Sequence, residues 1–156
     1  IEKIDPENRR RLLRALEVTI GSGRPFSSFG PGVDHYPNTG VAQVGVRWPR
    51  PVIAERIEAR VHAMIDAGLV AEVAELSEAG FSKTSAQALG YKETLQHLRG
   101  EISHDEAVAM IIIRTRQFAV RQERWFRRDP RVRWIDVESD PVAEVAPTVI
   151  EELQRA

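Results

Sequence analysis

The stretch Ser103–Arg128, SHDEAVAMIIIRTRQFAVRQERWFRR, decides how the rest of the chain reads. Ser103 and Glu106 form a capping box, in which hydroxyl and carboxylate each accept a backbone N–H at a helix start. The spacing predicts one helix from there to about Arg128, long for a small domain. Turned by about 100° per residue, the stretch sorts into two arcs. Ala107, Val108, Ile111, Ile112, Phe118, Ala119, Trp125 and Phe126 share one arc; Arg114, Arg116, Arg121, Arg124, Arg127 and Arg128 share the other. One side is therefore expected to pack on a core and the other to present a basic stripe. Thr115 and Gln122 fall inside the apolar arc. A buried amide left without partners costs about 1–3 kcal/mol. Either these two bond to nearby carbonyls or they line a cleft, and periodicity leaves both open.

Outward from this helix, Arg131–Val137 reads as a strand, with Val132, Trp134 and Asp136 opposite Arg133, Ile135 and Val137. A second strand is expected over Val41–Trp48, with Ala42, Val44, Val46 and Trp48 on its inward side. Between them, helices are expected at about Val52–Ala67, in LVAEVAELSEA between Gly68 and Gly80, and from Ser85 to about Leu98. Asp5-Pro6 is the start signal for a first helix running to Gly21. Residues 21–40, rich in Gly and Pro, form an irregular loop. Asp140-Pro141 opens a terminal helix that Pro147 is expected to kink. Two strands are too few for an independent sheet, so the segment reads as part of an α/β protein whose other strands lie elsewhere.

The chain has 156 residues and a formal charge of −1, which excludes a uniformly basic nucleic-acid coat. That balance hides local imbalance, because residues 114–133 hold eight arginines against Glu123 and Asp129, a net +6. An anionic partner such as a phosphodiester backbone would relieve the repulsion; so would solvent and acidic segments such as Glu72–Glu78. Arginine makes up 19 of the 22 basic residues, and only Lys3, Lys83 and Lys92 are lysine. Further basic groups are Arg9, Arg10, Arg11 and Arg14, and Arg47, Arg50, Arg56 and Arg60. Arg56 and Arg60 share a helix face just past a strand end, where a phosphate would sit in an open α/β sheet. On the residues alone, the simpler reading is a pair of surface arginines balanced by Glu55 and Glu58. With no cysteine, a disulfide scaffold or thiolate site is excluded. The histidines at 35, 62, 97 and 104 lack metal-ligand spacing, and no phosphate loop or G-x-S-x-G elbow occurs. No apolar run is long enough to span a membrane, and a cytoplasmic protein is expected. Because the chain starts at Ile1, it is expected to be a piece of a longer one.

Together these residues resemble a family. DPENRRRLLRALEV (5–18) with GRPFS (23–27), RIEARV (56–61), GLVAEVAEL (68–76), ALGYKE (88–93) and LRGEISHDEA (98–107) are similar to blocks of the tRNA dimethylallyltransferases, in the same order. TRQFAVRQERWFRR (115–128) is the most specific block, similar to that family's TR…RQ..WFR signature. The blocks extend from Asp5 nearly to Asp136, and the family's C-terminal half is what they resemble.

The resemblance implies transfer of a dimethylallyl group from dimethylallyl diphosphate to the exocyclic amine of the adenosine 3′ of the anticodon. It implies a fold similar to the nucleotide- and ATP-binding P-loop kinases with an inserted helical domain. On that view residues 1–40 are the end of the insertion, with its returning helix and Gly/Pro loop, and residues 41–156 are the C-terminal part of the core. Arg60 matches the family's diphosphate-contacting arginine and is the catalytic candidate. The tRNA contacts map onto Arg10, Arg11 and Arg14, onto Gln87, Gly90, Tyr91 and Lys92, and onto Arg121, Gln122, Arg124, Trp125 and Arg127. Gly90 reads as a close backbone approach, Tyr91 as a packing or stacking group, and Gln122 as substrate-facing. Val120 and Gln87 stand where basic residues are common in the family, and each removes a phosphate contact. The expected partners are the tRNA anticodon stem-loop and dimethylallyl diphosphate, with no membrane and a monomeric full-length enzyme. The phosphate loop, the Mg2+-binding hydroxyl and the general-base aspartate belong to the family's N-terminal half. Mg2+ is therefore expected in the whole enzyme without a ligand from this chain, and the chain alone is expected to be inactive. The alternatives are a non-catalytic RNA-binding helical module and a structural domain with solvated arginines.

Overall fold

A parallel strand pair decides the layout. β1 (Gln43–Arg47) and β2 (Val132–Asp136) pair in parallel, in register from Gln43↔Val132 to Arg47↔Asp136. Parallel neighbours require a long crossover. Here it consists of α2 (Arg50–Asp66), α3 (Leu69–Ala79), α4 (Tyr91–Leu98) and α5 (His104–Phe126). The computed structural model describes residues 7–30, 35–37, 40–82 and 84–155, and its chain falls into two units, Ile1–Thr39 and Gly40–Ala156. The fold is mostly helical α/β with one small parallel sheet.

In the first unit, α1 (Arg9–Ser22) starts later than the Asp5-Pro6 signal suggests, and those two residues lie outside the described ones. The start falls at Asn8, whose side chain accepts the Arg11 N–H at 3.1 Å and satisfies an orphan donor. The helix ends at Gly23, whose N–H donates to the Thr19 carbonyl. A short 3-10 turn, Phe26–Phe29, follows, tied back by the Phe26 N–H donating to Thr19 Oγ1 at 3.2 Å.

The second unit's core joins the four crossover helices. Val61, Leu69, Val73, Leu95, Val108, Ile111 and Ile112 are buried together, with Ile57, Met64, Ile65, Phe81, Ala86 and Tyr91 packed around them. The Ser103–Glu106 capping box forms as read, with the Ser103 N–H donating to Glu106 at 2.7 Å and Ser103 Oγ accepting the Glu106 N–H at 3.2 Å. Those backbone and hydroxyl bonds from Ser103 hold the Glu106 carboxyl below its ordinary range. After β2, α6 (Pro141–Arg155) begins at the Asp140-Pro141 signal, with Asp140 Oδ1 accepting the Val142 N–H at 2.9 Å. Pro147 lies inside α6, which continues past it to Arg155.

Three expectations need correction. The helix read as continuous over Ser85–Leu98 is two pieces, a 3-10 turn Ser85–Gln87 and α4. Gly90 breaks it: its φ of 92° and ψ of −45° leave helical space, and Ala88 before it is extended. The apolar arc of α5 packs only in its first half. Ala107, Val108, Ile111 and Ile112 are buried, whereas Phe118, Trp125 and Phe126 are about half exposed and lie outside the buried cluster that joins the crossover helices. Inward alternation in β1 also fails at Val46, which is exposed. A two-strand sheet covers too little of its own faces to enforce period-two burial.

Candidate nucleic-acid interface

Partners sort the arginine stripe into used and unused charges. Arg114 and Arg116, read from periodicity as part of an outward stripe, turn to neighbouring helices. Arg114 Nη1 donates to Glu93 of α4, whose side chain is 1% exposed. Arg116 Nη2 donates to Glu58 of α2 at 2.6 Å and to the Ala54 carbonyl at 3.3 Å. Helical angle alone misplaces them because long guanidinium side chains reach around a helix to any nearby acceptor. Further along, Arg127 pairs with Glu123 at 3.5 Å, and Arg128 lies over the Trp125 ring at 5.6 Å. Arg131 chelates Asp129, holding that carboxyl below its ordinary range, and Arg133 pairs with Glu151 and Glu152 of α6. Arg121 and Arg124 are exposed and have no hydrogen bond or ion pair among the described residues.

The Gly90 turn is built from inside. Its N–H donates to Glu93 Oε2 at 2.9 Å, and its carbonyl accepts the Thr94 hydroxyl at 2.7 Å. Glu93 and Thr94 are both 1% exposed. Tyr91 donates its phenol to Glu72 of α3 and meets the Phe81 ring edge-on at 5.7 Å. The hydrogen bond to Glu72, and then burial, hold the phenol above its ordinary range. Tyr91 is thus engaged in packing; Lys92 is half-buried, and Gln87 is exposed at the end of the 3-10 turn.

Beside α5 lies a cleft of ≈ 760 Å³. Val44, Trp48 and Trp134 from the strand region, Ile53 from α2 and Phe126 from α5 give it apolar walls. Arg47, Arg50, Arg116, Gln122 and Glu123 supply its polar lining. Gln122 is exposed into this space, whereas Thr115 bonds back to the Ile111 carbonyl at 2.7 Å, so the two polar residues of the apolar arc part company. At the strands' carboxyl ends Arg47 and Asp136 make a two-pronged pair, with Nη2–Oδ2 at 2.7 Å. That bond holds the Asp136 carboxyl below its ordinary range. Arg50 opens α2 at the cleft with no hydrogen bond or ion pair among the described residues. Such an arrangement suits a flat apolar group with an anionic end.

Within the second unit, Arg60 is not among the residues that line this cleft. Arg60 is exposed on α2, unpaired among the described residues, while Arg56 lies over the Trp48 ring at 4.7 Å. Arg10, Arg11 and Arg14 are exposed on α1 in the first unit, with Arg14 pairing to Glu17 at 3.4 Å. Sequence reading did not single out Glu93; its signal was the carboxylate three residues after Gly90. Among the described residues no three His, Asp or Glu side chains converge as a metal site. Nor is any helix among them long and apolar enough to cross a membrane.

The class defined by this fold is a mostly helical α/β segment around a parallel strand pair. Within it, the chain belongs to the IPP transferase family, whose model matches residues 1–129. It is 41% identical to a tRNA dimethylallyltransferase of Carboxydothermus hydrogenoformans over 97% of its length and 52% of the relative's. A second relative of that name, from Pseudarthrobacter chlorophenolicus, is 45% identical over 94% of this chain and 51% of its own length. The chain spans about half the length of these curated relatives. Among solved structures it is similar to the tRNA delta(2)-isopentenylpyrophosphate transferase of Staphylococcus epidermidis, with a TM-score of 0.72 and 31% identity over 99% of this chain and 52% of that one. The full-length tRNA isopentenylpyrophosphate transferase of Bacillus halodurans gives 0.68 and 31% over 99% and 48%.

Proposed function

We propose that this chain supplies the tRNA-binding and diphosphate-contacting surfaces of a tRNA dimethylallyltransferase. The observation that carries the reading is the division within the arginine stripe. Six of its eight guanidiniums are engaged within the protein, while Arg121 and Arg124 stand exposed and unpaired among the described residues. Like charges left unneutralised on one helix face cost stability, and an RNA phosphate backbone reverses that cost. The names of the relatives support tRNA as the acceptor. Residues 1–40 would then end a helical insertion, and residues 41–156 would belong to a P-loop kinase-like core in the cytoplasm.

In the reaction, the adenosine exocyclic nitrogen forms a bond to the allylic carbon as the carbon–oxygen bond to diphosphate breaks. The leaving group gathers negative charge, and fixed cations lower that barrier. Arg60, exposed and unpaired on α2, is the residue proposed for that role. The proton released from nitrogen goes to a base outside this chain, and Mg2+ would be held by residues outside it as well. Exposure of Gln122 into the aromatic-walled cleft supports a substrate-facing amide.

Anisotropy of a labelled anticodon stem-loop RNA, titrated with this chain over a range of salt, tests the proposal. Binding is expected to weaken steeply with salt, and Arg121→Ala with Arg124→Ala is expected to flatten the log–log slope by about one to two. A slope unchanged by the double variant refutes the assignment of the stripe. Turnover of dimethylallyl diphosphate by this chain alone would refute the placement of the base.

A further inference from the structure

The geometry points to Glu93 as a positioning residue that holds the Gly90 turn and α5 together as one RNA-facing surface. Its two carboxylate oxygens are divided between the two elements. One accepts the Gly90 N–H at 2.9 Å; the other accepts Arg114 Nη1 of α5. Beside it the Thr94 hydroxyl holds the Gly90 carbonyl at 2.7 Å. Both polar groups of the Gly90 backbone are therefore fastened by side chains that are 1% exposed. With φ at 92° and ψ at −45°, this turn uses a backbone conformation that glycine adopts freely and a residue with a Cβ rarely does.

Packing alone does not call for a carboxylate here. Leu95, Val108, Ile111 and Ile112 already join α4 to α5 through apolar contact. A buried ion pair is a poor source of stability, since desolvation offsets most of its attraction, and its best-attested use is to specify register. Arg114 precedes Arg121 by seven residues, about 10 Å along the helix axis. The same carboxylate thus links the turn that leads into Lys92 to the helix that carries Arg121 and Arg124. This inference rests on the RNA-binding reading above and adds a residue that never touches RNA.

The test is a double-mutant cycle on this chain with a labelled anticodon stem-loop RNA at several salt concentrations. Wild type, Lys92→Ala, Glu93→Gln and the combined variant are compared, each with a thermal melt. In the wild-type background Lys92→Ala is expected to weaken binding about fivefold and to flatten the salt slope by about one. In the Glu93→Gln background the same change is expected to do neither, because Lys92 is no longer held in place. Equal effects of Lys92→Ala in both backgrounds overturn the proposal and leave Glu93 a structural residue. Wild-type protein without salt-dependent binding removes the RNA reading, and this inference with it. Should Glu93→Gln not fold, Glu93→Gln with Arg114→Leu, which leaves no buried charge, takes its place with the same expected and overturning results.

Discussion

Replacing Gly45 by alanine should unsettle the only strand pairing among the described residues. Gly45 and Trp134 are register partners, and the indole lies across the glycine. A Cβ at Gly45 would sit 2.7 Å from Trp134 Cε3 and 2.9 Å from both Cδ2 and Cζ3. Ordinary carbon contacts are about 3.5–4.0 Å, so the methyl group overlaps three ring atoms by roughly an ångström. Only two responses are open. The ring rotates off its rotamer into the adjoining cleft, or the strands part and lengthen their hydrogen bonds. Overpacking of this kind costs about 1–3 kcal/mol. At the scaling for a chain of this size, the melting temperature falls by about 3–10 °C. Urea and thermal unfolding followed by circular dichroism measure both. A second substitution identifies the cause: Trp134→Leu with Gly45→Ala should recover much of the loss, because the overlapping ring is gone. A Gly45→Ala protein within about 0.5 kcal/mol of wild type would falsify the steric argument, as would a double variant whose losses simply add.

Gly90→Ala meets only Leu69 Cδ2 at 3.8 Å, so its cost is backbone strain at φ 92°, about 1–3 kcal/mol by chemical denaturation. No loss there would mean the turn is not held as described. Ser103→Ala removes the hydroxyl half of the α5 capping box and should destabilise by about 1 kcal/mol, while Ser103→Asp should restore most of it. Acid should weaken the fold. Asp129, Asp136, Glu106 and Glu144 all have carboxyls below their ordinary values, Asp136 through Arg47 and Glu144 through the N–H groups of Glu138 and Ser139. A group depressed in the folded state adds stability above its unfolded pKa and loses it as pH falls through the folded one. Stability should therefore be level near neutrality and decline below about pH 4. In an Arg47→Met variant the part of that decline owed to Asp136 should shrink, with only the weaker pull of Arg127 remaining.

Local rules carried much of the fold. Gly68 and Gly80 bracket α3 as read, Ser103 starts α5, and Asp140-Pro141 starts α6, because capping depends on residues within one turn. Both strands fall inside their expected spans, and β1 stops before Pro49 as a local break requires. The order of motif blocks also sufficed for the family, since block order survives whatever the tertiary details.

What the sequence could not decide was the destination of long side chains. Arg114 and Arg121 are indistinguishable as letters on a helical wheel, yet one is spent on Glu93 and the other faces solvent. That difference exists only once α4 lies against α5, because an ion pair depends on distance across elements and not on period. The cleft has the same origin. Trp48 lies far along the chain from Phe126 and Trp134, and the parallel pairing of β1 with β2 beside α5 brings all three to one cleft.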